Sequence, residues 1–270
     1  MADAQILIPN PQSLMPIAGA LDRVVIWGLP LARLDHAGTL DQMDRLIERG
    51  RPAFFITANL HYAMLTGRDP RLAAVNRKAA FLVADGTPLV WRSRFGSKPL
   101  PERVAGADLI YSLCGRAAQR GYRVFFLGGA PGAAEETARR LKKRHPGLQV
   151  AGVEAPELER LSDCEHAALL HRIRRSGADL LLVAFGQPKG ELWLAENCPR
   201  LGVPASVQVG ASFDFVAGRV PRAPRCLRRI GLEWAYRLLS EPRRLAGRYF
   251  DDGLFLVKAL WRDVAGRRRH

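Results

Sequence analysis

One design recurs along this chain: a short apolar run ends in small or polar residues and gives way to a stretch with helical spacing. The clearest copy is "YRVFFLGGAPGAAEETARRLKKRHPG" (122–147), an apolar strand, a glycine-rich turn and an amphipathic helix stopped by Pro146-Gly147. "ADLLLVAFGQPKGELWLAENC" (178–198) repeats it, and "ASVQVGASFDFVAG" (205–218) adds a further strand and loop. Upstream, "RVVIWGLPL" (23–31) reads as a strand or strand pair, "AFFITAN" (53–59) and "AAFLVADG" (79–86) as strands with polar ends, and "GTLDQMDRLIERG" (38–50) as a helix closed by Gly50. Short strands that are apolar on both faces, alternating with helices, predict an α/β fold with a mostly parallel, Rossmann-like sheet covered by helices.

That architecture says where chemistry belongs, because ligands of such sheets bind beyond the carboxyl ends of the strands. The residues there are Thr57 and Asn59, Asp85 and Gly86, Gly128 and Gly129, Gly186 and Gln187, and Gly210. Asp85-Gly86 is also a standard turn pair, so locally Asp85 reads equally as a turn former and as a carboxylate able to take a proton from a substrate hydroxyl. "LGGAPG" before a helix can offer backbone N–H groups to a phosphate from Gly128 and Gly129, or can simply be a tight turn. Gln187 and Lys189 stand where a diphosphate or sugar hydroxyl is held, with Glu191 in the helix that follows, and Arg103 just precedes another helix.

Charge divides the chain. Of a formal net charge of +15, nine units fall between Arg219 and His270, where fourteen Arg or Lys meet five Asp or Glu. An anionic partner is the expectation. The organisation predicted is an N-terminal extension (1–22), an α/β domain (23–218) and an arginine-rich helical appendage (219–270). In the appendage Leu232, Tyr236 and Leu239 can share a face among Arg228, Arg237, Arg243 and Arg244, as suits a helix on an anionic membrane surface. No apolar run reaches the ~18 residues of a membrane span, so contact with a bilayer is expected to be peripheral. Cys114, Cys164, Cys198 and Cys226 are too widely spaced for a metal or redox pair and read as reduced cytosolic thiols, and the Cys164, His166, His171 group matches no ligand pattern.

Taken in order, "TANLHY", "VADGTPLVW", "ERVAGADL", "VFFLGGAPG", "LLLVAFGQPKGELW", "VGASFDFVAGRVPRAP" and "GLEWAYRLLSEPRR" resemble the WecG/TagA/CpsF family of bacterial glycosyltransferases over roughly residues 23–255. The resemblance implies inverting transfer of a hexose or N-acetylhexosamine-type sugar from a UDP-sugar to a polyprenyl-diphosphate-linked sugar. That activity belongs to the cytoplasmic face of the inner membrane, in cell-surface or exopolysaccharide biosynthesis. It implies that Asp85 is the general base, that Thr57, Asn59, Arg103 and Gln187 surround the substrate, and that Arg237, Arg244 and Arg248 engage the diphosphate. The family commonly reads Pro-Lys-Gln-Glu where this chain has Pro188-Lys189-Gly190-Glu191. If that glutamine helps choose the donor sugar, the donor here differs.

The UDP-sugar is then a substrate, and no cofactor is expected. The chain has no Asp-x-Asp to hold a divalent metal, so arginines and a helix N-terminus are expected to stabilise the leaving UDP instead. Two other classes share some features. A nucleotide-binding oxidoreductase would have this sheet, but the glycine turn fits neither G-x-G-x-x-G nor a P-loop. A basic nucleic-acid-binding protein would have this charge, though nucleic acid is not the partner expected. Oligomeric state is open.

Overall fold

A computed structural model describes residues 21–229 and 231–267; most of the N-terminal extension and the last three residues of the appendage lie outside the described residues. The chain opens with an antiparallel hairpin, β1 (Arg23–Ile26) and β2 (Leu29–Ala32), joined by Trp27 and Gly28, both with positive φ as a two-residue hairpin loop requires. There follow α1 (His36–Arg49), β3 (Phe54–Ala58), α2 (Leu60–Arg68), α3 (Pro70–Lys78), β4 (Leu82–Ala84), α4 (Thr87–Ser93), α5 (Gly106–Arg120) and β5 (Arg123–Gly128). Then come α6 (Ala133–Arg144), β6 (Gln149–Glu154), α7 (Asp163–Arg175), β7 (Leu180–Ala184), α8 (Lys189–Leu201), β8 (Ala205–Gln208) and α9 (Ser212–Val216). The appendage is helical throughout its described part: α10 (Arg225–Arg229), α11 (Glu233–Ser240) and α12 (Pro242–Arg267).

The eight strands form one sheet in the order β1-β2-β4-β3-β8-β7-β5-β6, parallel except for the β1–β2 pair. Alternation along each strand feeds two cores. Phe55, Val83, Phe126, Leu182 and Val207 point to the face covered by α1, α5, α6 and α9. Their neighbours Phe54, Ile56, Leu82, Phe125 and Leu181 point to the face covered by α2, α3, α4, α7 and α8. Local signals start and stop these helices. Asp35 caps α1 by accepting from the Gly38 N–H and Gly50 ends it in the left-handed conformation, while Ser162 and Glu165 form a reciprocal capping box on α7. In α6, acidic residues occupy the first turn and Lys142, Lys143 and Arg144 the last, matching the helix dipole.

The sequence reading of 205–218 as strand plus loop missed α9, and β6 had no counterpart in it. α9 is a five-residue turn of helix, and β6 is an edge strand, half-buried along its length but for exposed Gln149, and interrupted by Gly152. Neither carries the strong periodicity that pattern reading needs.

What positions the site is a divergence in the middle of the sheet. β3 and β8 are neighbours, yet α2 leaves β3 towards one face and α9 leaves β8 towards the other. A crevice opens between them at the carboxyl edge. The appendage starts at that edge and α12 runs on along the α2 and α4 face of the sheet. His61 of α2 pairs with Asp252 of α12 at 2.8 Å, and farther along α12 Asp263 accepts from Arg92 of α4 at 2.9 Å and at 3.1 Å from Trp27, which lies in the β1–β2 turn at the opposite edge and packs edge-on against Phe255.

Candidate active site at the carboxyl edge of the sheet

Asp85 follows β4 directly. Its backbone N–H donates to Ala58 O at 2.7 Å, which ties it to the end of β3, and its Oδ2 accepts from the N–H of Gly106, the first residue of α5, at 3.1 Å. A carboxylate at a helix N-terminus meets the positive end of the dipole. Gly106 makes the approach possible: a Cβ there would lie 3.3 Å from Thr57 Oγ1 and 3.4 Å from Asp85 Oδ2. Thr57 in turn donates to Gln208 O at 3.2 Å, so β4, β3, β8 and the start of α5 converge on one point.

Burial is the largest influence on this carboxyl group, pushing its pKa up to about 7; the Gly106 N–H, Arg103 and Arg222 pull it down, and Glu233 pushes it up. Arg103 donates to Glu233 at 3.2 Å, and Arg222 approaches the same carboxylate at 3.4 Å. Arg222 and Arg228 also pair with Asp108 of α5, at 2.8 and 3.0 Å. The appendage therefore reaches the surroundings of Asp85 through Glu233 and Arg222. Sequence reading did not single out those two residues; Glu233 sits within the quoted "GLEWAYRLLSEPRR", and its partner Arg103 lies 130 residues away.

A second cluster lies beside the first. Glu191 is fully buried in the first turn of α8, its carboxyl group beside its own backbone N–H and the Gln187 side chain. Burial lifts it to about 7 against the pull of those two groups and of Arg248. The Gln187 Oε1 and Arg248 Nε atoms are enclosed and unpartnered. Burial holds the Arg248 guanidinium below its usual value, and its Nε lies 3.9 Å from Asp252. Tyr249 bridges the two clusters electrostatically, feeling Arg237, Arg248, Asp252 and Glu233. Arg237 lays its guanidinium 5.1 Å from the centre of the Phe215 ring with its Nε enclosed and unpartnered. Arg244 forms an ion pair with Glu241 and contributes to the field at Asp214.

The structure thus gathers Asp85, Thr57, Arg103, Gln187, Glu191, Arg237 and Arg248 around one edge of the sheet. It leaves others apart or occupied. Asn59 spends its side-chain oxygen on the Tyr62 N–H as the cap of α2. Lys189 pairs with Glu159 and lies 5.9 Å from the Phe185 ring centre. The glycine turn ends β5, four strand spacings from β4 and therefore about 19 Å along the sheet. Gly128 has φ +94° and no room for a Cβ, which would stand 2.7 Å from Phe185; the Gly129 N–H is already given to Ala184 O. Tight packing accounts for both glycines. Among the described residues no group of three or more His, Cys, Asp or Glu is placed to hold a metal ion, and His166 accepts from Trp193 Nε1.

A relative from Bacillus spizizenii, an N-acetylglucosaminyldiphosphoundecaprenol N-acetyl-beta-D-mannosaminyltransferase, is 35% identical over 198 residues, spanning 73% of this chain and 75% of the relative. The family model described as "Glycosyl transferase WecG/TagA/CpsF family" matches residues 24–269, almost all of the sheet and the appendage described above. The chain belongs to the WecG/TagA/CpsF family of glycosyl transferases.

Proposed function

We propose that this glycosyl transferase moves a hexose or N-acetylhexosamine-type sugar from a UDP-sugar to a polyprenyl-diphosphate-linked sugar, with inversion, and that Asp85 is its general base. The observation that carries the reading is the Asp85 carboxyl group. One oxygen is held by the Gly106 N–H, and burial has raised its pKa to about 7, near the value at which a base both exists deprotonated and takes a proton well. In the reaction the acceptor hydroxyl loses its proton to Asp85 as its oxygen bonds the anomeric carbon. The bond from that carbon to the diphosphate oxygen breaks on the opposite face, and UDP leaves with the electron pair.

Arg103, Arg237 and Arg248 are cations at this edge for the departing diphosphate. The acceptor lipid and the sugar named for the Bacillus spizizenii relative support this substrate class. On this reading the chain needs neither metal nor cofactor. EDTA is expected to leave turnover intact, and a large loss restored by magnesium or manganese overturns that part.

The appendage supplies the contact with the lipid phase. Phe250, Leu254, Val257, Trp261 and Val264 recur at three- and four-residue intervals on α12, and all five are exposed, from 44% to 72%. An apolar stripe left bare on a basic helix fits a helix lying in the interface of an anionic bilayer, here the cytoplasmic face of the inner membrane. Among the described residues no helix is long and apolar enough to cross one.

The test is UDP release from a panel of UDP-sugars with a lipid-diphosphate-linked acceptor sugar. Asp85→Ala should lower kcat by on the order of 10²–10⁴-fold while the protein stays folded. Near-normal turnover returns Asp85 to the role of a turn former.

A further inference from the structure

Gly190 is buried in the first turn of α8, facing Gln208 at the end of β8. A Cβ on Gly190 would stand 2.6 Å from Gln208 Nε2 and 2.7 Å from its Cδ, so the Gln208 amide fills the space that a side chain at position 190 needs. The amide is oriented. The Gly210 N–H donates to Gln208 Oε1 at 3.0 Å, which leaves the NH2 group on the opposite side, against the first turn of α8.

That NH2 has no partner in the protein, although Gln208 is only 2% exposed. An enclosed polar group left unsatisfied is expensive, and where one persists in a folded site a ligand is a ready explanation. An unused acceptor, Gln187 Oε1, stands just ahead of the same turn, beside the Glu191 carboxyl group. The backbone of Gln208 also receives the Thr57 hydroxyl, which places the residue one contact from the surroundings of Asp85.

We propose that Gln208 is a specificity-determining residue for the transferred sugar, its amide NH2 donating to an oxygen of that sugar from the place where a side chain at position 190 would begin. The inference rests on the transferase reading above. An unpartnered donor near an unpartnered acceptor selects a ligand group that does both, which on a sugar means a hydroxyl or an acetamide.

The experiment compares wild type, Gln208→Met, Gly190→Gln and the double variant Gly190→Gln with Gln208→Ala. The readouts are kcat/KM for UDP-hexoses and UDP-N-acetylhexosamines, inhibition by UDP alone, and the thermal midpoint. Methionine keeps the volume and removes the amide. For the preferred donor, Gln208→Met should lose about 10-fold in kcat/KM, the size of one hydrogen bond, with UDP inhibition unchanged. Preference within the N-acetylated set or the plain hexose set then says whether an acetamide or a hydroxyl is read.

Gly190→Gln alone should lower the midpoint, because its side chain and the Gln208 amide claim one space. The double variant should recover the midpoint and reorder the donors. Equal losses across all donors, weaker UDP inhibition in step with them, or an unchanged donor order each overturn the proposal. Wild-type turnover with unchanged donor order in the variants sinks this inference alone, whereas no transfer by wild type from any donor sinks the transferase reading with it.

Discussion

At the scale of single residues, the informative groups are carboxyls whose ionisation the fold has made costly. Asp85 has a folded pKa raised from 3.8 to about 7 by burial, so between those values the native state holds a proton that the unfolded chain has released. Stability from this group is full below about pH 4 and is lost as pH rises through 7. Asp85→Asn keeps an acceptor for the Gly106 N–H and removes the titration. It should raise the thermal midpoint by several degrees at pH 8 with a smaller gain at pH 5, measured by calorimetry, even as turnover collapses.

In wild type, kcat/KM should rise with pH along an acid limb near 7, as a base that must be ionised requires. Asp85 is faced by the Gly106 N–H, Arg103, Arg222 and Glu233, and only the last pushes its pKa up. Glu233→Gln should therefore move that limb to lower pH, and a shift the other way would show that freeing Arg103 and Arg222 rearranges the site.

At the scale of elements, the glycine turn after β5 separates packing from binding. Gly128→Ala puts a Cβ 2.7 Å from Phe185 at φ +94°, a backbone region that side chains avoid. A loss of about 2–4 kcal/mol in urea unfolding is expected, strain and overpacking together. If the turn were a phosphate cradle, UDP affinity would fall without that loss.

The βα units were legible in the sequence because the central strands are apolar on both faces and some helices carry their own start and stop signals, as Asp35 and Gly50 do for α1. Asp85 was legible as a position at a strand end. Its partner Gly106 was not, since the bond crosses 21 residues and the whole of α4. Gln208 was hidden for a different reason: a glutamine ending an apolar strand carries no motif, and its meaning comes only from the space that Gly190 leaves for its amide.

At the scale of the whole molecule, charge and bare apolar surface lie on the same appendage that starts at the carboxyl edge of the sheet. Trp261→Glu or Val257→Glu should cut sedimentation with anionic vesicles severalfold and leave the fold intact, because both side chains are exposed and outside the two cores. Retained binding would shift the docking to the arginines alone. The stripe on α12 also bears on how rate depends on substrate. If α12 docks on a bilayer as proposed, the enzyme searches in two dimensions, and its velocity should follow the mole fraction of acceptor lipid in the bilayer rather than the amount in the tube. Diluting the acceptor with inert phospholipid, at fixed total acceptor, should slow the enzyme as though substrate had been withdrawn.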